Sequence, residues 1–167
     1  MDNNLLKETQ ENYAKLTSLL IEKNISITTM ESCTSGLIAS FITDIDNSSK
    51  IYKGSAITYC NEAKIAQGVN SEIIQKFGVY SNETSIEMAR IAKNNFNTNI
   101  GIGVTGSLGI VDPNNKDSKP GEVYFTIDYL KQNTYFLEIV NQGTKFLNKV
   151  YVSNYICKEL LKIINKD

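Results

Sequence analysis

Residues 25–45 have the sequence ISITTMESCTSGLIASFITDI, and this stretch decides the fold. Its first six residues, 25–30, form a short run rich in β-branched side chains, which is typical of a strand. Residues 31–36 are small or polar, and apolar residues at helical spacing follow them. The stretch therefore predicts a strand, a tight turn and a helix, which together are a building unit of α/β folds.

The rest of the chain continues this alternation and then changes. The predicted helices cover 3–23, 61–68, 71–77, 81–96 and 145–164, with Ser71 and Ser81 as expected N-caps. The further predicted strands cover 55–59, 100–105, 122–130 and 134–140, the last two forming a hairpin around 131–133. Residues 106–121 are predicted as one long loop. We therefore expect an α/β fold over residues 1–167: three α/β/α layers, a mixed and mainly parallel sheet, and a C-terminal hairpin.

Composition excludes several classes of protein. A length of 167 residues predicts one domain, and a net charge of −1 gives no basic field for nucleic acid. The N-terminal residues do not form a secretory signal, and no stretch approaches a membrane span, so we expect a cytoplasmic protein without a membrane partner. The three cysteines, Cys33, Cys60 and Cys157, fit neither a disulfide framework nor a zinc-ligand pattern.

The most informative count is the absence of histidine. It excludes Ser-His-Asp and Cys-His catalysis and any metal site built on imidazole. We expect no metal and no cofactor. Arg90 is the only arginine in the sequence, so backbone N–H groups and lysines would have to bind any phosphate.

Ser32 lies in the predicted strand-to-helix turn, where backbone N–H groups are unpaired. It could attack a carbonyl while the amides of Cys33, Thr34 or Ser35 stabilise the oxyanion. Alternatively, Ser32 or Thr34 is an N-cap, and residue type alone favours that interpretation. Cys33 is a rival nucleophile, although a free cysteine is commonly a small buried apolar residue.

A nucleophilic serine needs a base, and without histidine the plausible base is a lysine kept neutral by its surroundings. Lys64 falls in the first turn or so of a predicted helix, where the helix dipole lowers a lysine pKa. Tyr59, at the end of the preceding strand, could relay a proton or hold the serine hydroxyl. Both residues also have ordinary interpretations, as a solvated lysine and a packing tyrosine.

Glycines follow the third predicted strand in Thr105-Gly106-Ser107-Leu108-Gly109. They could let backbone N–H groups approach a phosphate, and an ordinary turn explains them equally well. The carboxyl ends of parallel strands form the usual ligand site of such sheets. We therefore expect Ser32, Tyr59 and the segment Thr105-Gly106 to lie near one another.

Taken in order, several segments resemble the CinA C-terminal-domain family, which includes the stand-alone nicotinamide-mononucleotide amidases. The resemblance covers essentially the whole chain, and the E-S-C-T and Y-x-N-E-A-K segments at this separation are specific to the family. The segments are Met30–Gly36, Tyr52–Gly54, Tyr59–Lys64, Gly78–Ser81, Gly103–Gly106 and Lys119–Val123.

The resemblance implies a three-layer α/β fold and hydrolysis of nicotinamide mononucleotide to nicotinate mononucleotide and ammonia. It implies Ser32 as the nucleophile, with Lys64 and Tyr59 as the general base and its helper. It implies a pyridine nucleotide as ligand, no cofactor or metal, and a homo-oligomer, with a dimer favoured. The implied substrate-binding residues are Thr34, Ser35, Gly36, Asn61, Thr105 and Gly106.

The chain departs from the family pattern on the expected phosphate and ribose side. Ser35 replaces a usual glycine, residues 107–115 replace a glycine- and proline-rich stretch, and Lys119-Pro120-Gly121 is one residue short. Lys145 stands where an arginine is usual and lacks its bidentate fork. Two alternatives follow: a nucleotide-binding or regulatory module with little or no activity, or an amidase for a different carboxamide.

Overall fold

The computed structural model describes residues 2–139 and 142–166. The helices are α1 (Asp2–Lys23), α2 (Leu37–Thr43), α3 (Asn61–Ala66), α4 (Ser71–Phe77), α5 (Asn82–Phe96) and α6 (Lys145–Ile164), with a 3-10 turn at Ser48–Lys50. The strands are β1 (Ile27–Glu31), β2 (Tyr52–Ile57), β3 (Ile100–Gly106), β4 (Glu122–Tyr129) and β5 (Lys131–Glu138). Across the described part of the chain, no helix is both long and apolar enough to cross a bilayer.

The strands form one mixed sheet in the order β2-β1-β3-β4-β5. β1 pairs in parallel with β2 and with β3, whereas β4 is antiparallel to both β3 and β5. Only β4 therefore runs against the other strands. This confirms the predicted α/β class, the mixed sheet and the hairpin near the C-terminus.

Two separate hydrophobic cores cover the two faces of the sheet. On one face, Leu16 and Leu20 of α1 and Ile156 of α6 pack in the same core as Ile27 of β1. On the other face, α4 and α5 pack in a smaller core that includes Met30 of β1. Since successive strand residues point to opposite faces, β1 contributes to both cores, and the sheet is the middle layer of a three-layer sandwich.

The glycines of β3 bring α5 unusually close to the sheet. A Cβ atom at Gly103 would lie 2.3 Å from the carbonyl oxygen of Ser85 and 2.5 Å from the amide nitrogen of Ala89. Both atoms belong to the backbone of α5, so neither can move without shifting the helix. The expectation that these glycines have close neighbours is confirmed.

The structure corrects the bounds of β2 and of the hairpin turn. β2 begins at Tyr52, three residues before the predicted start. Its pairing with β1 has an irregular register near Gly54, which has φ of 136°, and this irregularity interrupts the alternating strand pattern. The predicted turn at 131–133 is wrong, because Lys131 already pairs with Tyr129 and only Leu130 connects the strands. The predicted end of the last strand, Val140, lies outside the described residues.

Ser81 is confirmed as the N-cap of α5, since its hydroxyl accepts the amide of Thr84. The cap of α4 is Asn70 rather than Ser71. Its side chain accepts the amide of Glu72, so Ser71 is the first residue of the helix and the cap lies one residue before the predicted one.

We expect Gly103→Ala to lower the free energy of unfolding by about 2 kcal/mol, since the new methyl group would overlap the backbone of α5. Urea denaturation followed by circular dichroism measures this. Gly109→Ala is the matched control, because the nearest atom to its new methyl group lies 4.0 Å away. Equal stability of the two variants would contradict the close packing of α5 on β3.

Candidate active site

A cavity of about 600 Å³ lies at the carboxyl ends of β1 and β3. Ser32 follows β1, Tyr59 follows β2 and Gly106 ends β3, and all three line this cavity. The parallel strands direct their ends to the same edge of the sheet, as expected for a ligand site in an α/β fold.

Ser32, which lines the cavity, forms a buried pair with Lys64, which lies behind the lining. The Nζ atom of Lys64 lies 3.1 Å from Oγ of Ser32. The same Nζ donates a hydrogen bond of 2.7 Å to the carbonyl oxygen of Thr58. A neutral amine held this way keeps one lone pair, which can face the serine hydroxyl and accept its proton.

Burial changes the protonation of Lys64. Its side chain is 1% exposed, and no carboxylate of the described residues lies within 4 Å of its Nζ. Desolvation therefore lowers the pKa of Lys64 to about 8, although electrostatic interactions with neighbouring groups, Asp112 among them, act in the opposite direction. Burial, rather than the helix dipole considered from the sequence, is the largest cause.

The helix that follows Ser32 has no serine or threonine N-cap, although residue type alone favours one. α2 begins at Leu37, and its N-cap is Gly36, which has φ of 88° and no side-chain cap. The interpretation of Ser32 or Thr34 as the N-cap is therefore wrong. The carboxylate of Glu31 accepts the helix amides instead, and the hydroxyl of Thr34 donates to the same carboxylate.

Among the described residues, the turn after Ser32 leaves two backbone amides without an acceptor, and one of them belongs to Cys33, which lines the cavity. The amide of Ser35 donates to the carbonyl oxygen of Ser32, and that of Gly36 donates to Glu31. Within the residues that the structure describes, the amides of Cys33 and Thr34 donate to no other residue. They follow Ser32 directly, which is where oxyanion donors lie relative to the nucleophile in acyl-transfer enzymes.

Ser35 adopts a backbone conformation that favours glycine, with φ of 53°. Its hydroxyl donates to the carbonyl oxygen of Ser32 and accepts a hydrogen bond of 3.1 Å from Nζ of Lys149. The substitution of a usual glycine therefore leaves the turn closed and ties it to α6.

Tyr59 is in the cavity wall and away from the Ser32–Lys64 pair. Its side chain is 61% exposed, and its hydroxyl accepts a hydrogen bond of 3.4 Å from Nζ of Lys145. No contact given by the structure joins the Tyr59 hydroxyl to Ser32 or Lys64 among the described residues.

The remaining predicted binding residues divide into two groups. Asn61 and Gly106 line the cavity, whereas Thr34, Ser35, Gly36 and Thr105 lie behind its lining. The hydroxyl of Thr105 donates to the carbonyl oxygen of Val79, so it ties the end of β3 to the segment before α5. Its observed contact is structural.

A hydrogen-bond network that the sequence analysis missed holds the 107–119 loop over the cavity. The hydroxyl of Tyr80 donates to Oδ2 of Asp112 at 2.6 Å, and this bond is the largest cause lowering the pKa of Asp112. The Asn115 amide donates to the same oxygen and accepts from the Asn61 amide. Tyr80 belongs to a segment that supported the family resemblance, but nothing in the loop sequence indicated its partner.

Cys33 does not meet the requirements of a nucleophile. It is buried beside Glu31, and desolvation raises the pKa of its thiol to about 12. A thiol in this state carries almost no thiolate at neutral pH. Within residues 2–139 and 142–166, no group of three or more cysteine or carboxylate side chains could hold a metal ion.

The sequence profile of the CinA C-terminal domain matches residues 9–165. The chain belongs to the CinA C-terminal-domain family. Membership of this family explains the fold, the order of the motifs and the position of the cavity together.

Among CinA relatives, the chain is 48% identical over 92 residues to a CinA-like protein of Fervidobacterium nodosum, covering 54% of this chain and 22% of that protein. It is 31% identical over 153 residues to a putative competence-damage inducible protein of Clostridium botulinum, covering 91% and 36%. The match thus spans only 22% and 36% of the length of these two curated relatives.

A crystal structure of a competence-damaged protein (CinA) superfamily member from Klebsiella pneumoniae has the same fold. The TM-score is 0.88 at 20% identity, and the match covers 95% of this chain and 99% of that one. The CinA-family fold accounts for nearly the whole of both chains.

We expect the lowered pKa of Lys64 to make the free energy of unfolding depend on pH. The pKa is 10.5 in the unfolded chain and about 8 when folded, so the unfolded state binds more protons between these pH values. The free energy of unfolding of the wild type, relative to that of Lys64→Met, is therefore constant below pH 8. Above pH 8 it rises by up to about 1.4 kcal/mol per pH unit. Urea denaturation at pH 7, 8, 9 and 10 measures this.

Lys149→Met is the matched control for this series, since Lys149 lies on α6 and is only partly buried. Its difference from the wild type should not acquire the same rise above pH 8. A Lys64→Met difference that does not change with pH would contradict the lowered pKa.

Proposed function

We propose that this protein is an amidohydrolase that converts nicotinamide mononucleotide to nicotinate mononucleotide and ammonia. The observation that carries the proposal is the buried pair of Ser32 and Lys64, 3.1 Å apart, in a chain without histidine. A lysine with a pKa of about 8 is the base that a serine nucleophile requires in such a chain. The resemblance of the site to amidases of the CinA family supports the choice of substrate.

In the first half of the reaction, Oγ of Ser32 attacks the carboxamide carbon while neutral Lys64 accepts the hydroxyl proton. The amide of Cys33, a residue that lines the cavity, stabilises the negative charge on the carboxamide oxygen. When the tetrahedral intermediate collapses, the C–N bond breaks and the ammonium group of Lys64 returns its proton to the departing nitrogen. Ammonia leaves and an ester to Ser32 remains.

In the second half, Lys64, neutral again, accepts a proton from a water molecule that attacks the ester carbon. The C–O bond to Ser32 breaks, and Lys64 returns the proton to Oγ. The product is the carboxylic acid, and the sum is hydrolysis of one carboxamide by one water. The Thr58 carbonyl, which accepts a hydrogen bond from Nζ, keeps the amine in position through both halves.

Tyr59 has a role at the cavity wall in this proposal. Its contact with Lys145 places a hydroxyl and a cation at the mouth of the cavity, where the phosphate-bearing part of the substrate would lie. A helper role for Tyr59 in proton transfer requires its hydroxyl to approach Ser32 when substrate binds.

The first test is ammonia release from nicotinamide mononucleotide by the purified protein. Ser32→Ala and Lys64→Met should each lower kcat by more than about 10³-fold, because each removes one partner of the pair. Ser85→Ala, which removes a buried hydroxyl on α5, should retain activity. Activity that survives in Ser32→Ala would contradict the mechanism.

The pH dependence of kcat/KM forms a second part of this test. The base must be neutral, so kcat/KM should rise roughly tenfold per pH unit below pH 8 and level off above it. A rate that is flat between pH 6 and 9 would exclude Lys64 as the titrating base.

A substrate panel tests the assignment of the phosphate end. The mononucleotide should react more efficiently than nicotinamide riboside or free nicotinamide, and Lys145→Met should reduce that preference roughly tenfold by removing a cation from the cavity wall. Lys162→Met is the matched control, because Lys162 lies on the same helix, α6, outside the cavity lining, and bonds to Glu159. If only phosphate-free carboxamides react, the protein is an amidase for a different substrate.

A further inference from the structure

Glu31 is a fully buried carboxylate directly before the nucleophile. Its side chain is 0% exposed, and no lysine or arginine of the described residues lies within 4 Å of its oxygens. A buried charge without a counter-ion is costly unless hydrogen bonds replace its hydration. The environment of Glu31 must therefore supply those donors.

Five hydrogen bonds converge on the two carboxylate oxygens of Glu31. Oε1 accepts from the hydroxyl of Thr29 and the amide of Ala39, each at 2.9 Å. Oε2 accepts from the hydroxyl of Thr34 at 2.7 Å, the amide of Gly36 at 2.8 Å and the amide of Ile38 at 3.3 Å. Three of the donors are amides at the start of α2, where the helix dipole also favours negative charge.

Glu31 and Ser32 are consecutive at the end of β1, so their side chains point to opposite faces of the sheet. The side chain of Glu31 is bound to α2, and that of Ser32 meets Lys64 of α3. The carboxylate therefore anchors one side of the peptide unit whose other side carries the nucleophile.

The backbone at this point is held by both neighbouring strands. The carbonyl oxygen of Glu31 accepts the amide of Thr58, and the amide of Ser32 donates to the carbonyl oxygen of Val104. The carbonyl oxygen of Thr58 in turn accepts the hydrogen bond from Lys64. Glu31 thus connects to Ser32 through the chain and to Lys64 through Thr58.

We infer that Glu31 is a positioning residue, whose charged side chain fixes the turn and so holds Oγ of Ser32 in reach of Lys64. The inference rests on the proposed function, since it concerns the same nucleophile. An amide cannot replace the carboxylate, because both oxygens accept hydrogen bonds. Whichever way a glutamine is oriented, its NH₂ group would face donors at the start of α2.

Glu31→Gln should lower kcat for ammonia release roughly 10²-fold through misplacement of the nucleophile. KM should change less than about twofold, because the cavity wall is intact. The midpoint of the pH profile should stay near 8, since Lys64 is unchanged. A purely structural role would lower the melting temperature and leave kcat per folded molecule unaltered.

Asn70→Ala is the matched control, since it removes the side-chain cap of another short helix, α4. It should lose stability with kcat unchanged. If Glu31→Gln does not fold, Thr29→Val removes one donor to Oε1 and should lower kcat roughly fivefold with KM unchanged.

Labelling of Ser32 by a fluorophosphonate is measured beside turnover and should slow in parallel with kcat. If the wild type labels but releases no ammonia, the proposed substrate is wrong and the labelling rates still test Glu31. A folded Glu31→Gln, or a folded Thr29→Val in its place, with wild-type kcat and labelling would overturn the inference.

Discussion

A lysine amine buried without a counter-ion is the constraint on which this site depends. Removing Lys64 from water favours its neutral form, and the fold supplies one acceptor, the carbonyl oxygen of Thr58, and one hydroxyl, Oγ of Ser32. Below its pKa of about 8 the folded protein holds the buried amine in its charged form, and above that pH the amine is neutral. The desolvation that lowers stability is also what makes the amine a base.

The parallel arrangement of β2, β1 and β3 explains how such a pair is assembled from distant segments. Ser32 follows β1, and Lys64 lies on the helix after β2, so both come to the same edge of the sheet. The glycines of β3 allow α5 to pack against the strand backbone, which fixes the layer on the side of Lys64. The opposite layer fixes Ser32 through the contact of Glu31 with α2. The geometry of the pair is thus a consequence of how both layers pack.

The sequence predicted the elements with strong periodicity and the residues whose chemistry had few alternatives. The strand, turn and helix around Ser32 were evident because their patterns are local, and Lys64 followed from the lack of histidine. What failed depended on contacts between segments distant in sequence. Residue type favoured a serine or threonine cap, yet a carboxylate five residues before the helix amide of Gly36 takes that place. The bond between Tyr80 and Asp112 joins segments 32 residues apart and has no local pattern.

Two of the departures from the family pattern, at Ser35 and within residues 107–115, take part in side-chain hydrogen bonds. At Ser35, a side chain in a left-handed conformation costs about 1 kcal/mol relative to glycine. Its hydroxyl gains hydrogen bonds to the Ser32 carbonyl and from Lys149, which offset that cost and attach the turn to α6. In the loop, Asp112 and Asn115 line the cavity and are held there by hydrogen bonds to Tyr80 and to each other. At both places, side-chain hydrogen bonds hold backbone segments that lie next to Ser32 or line the same cavity.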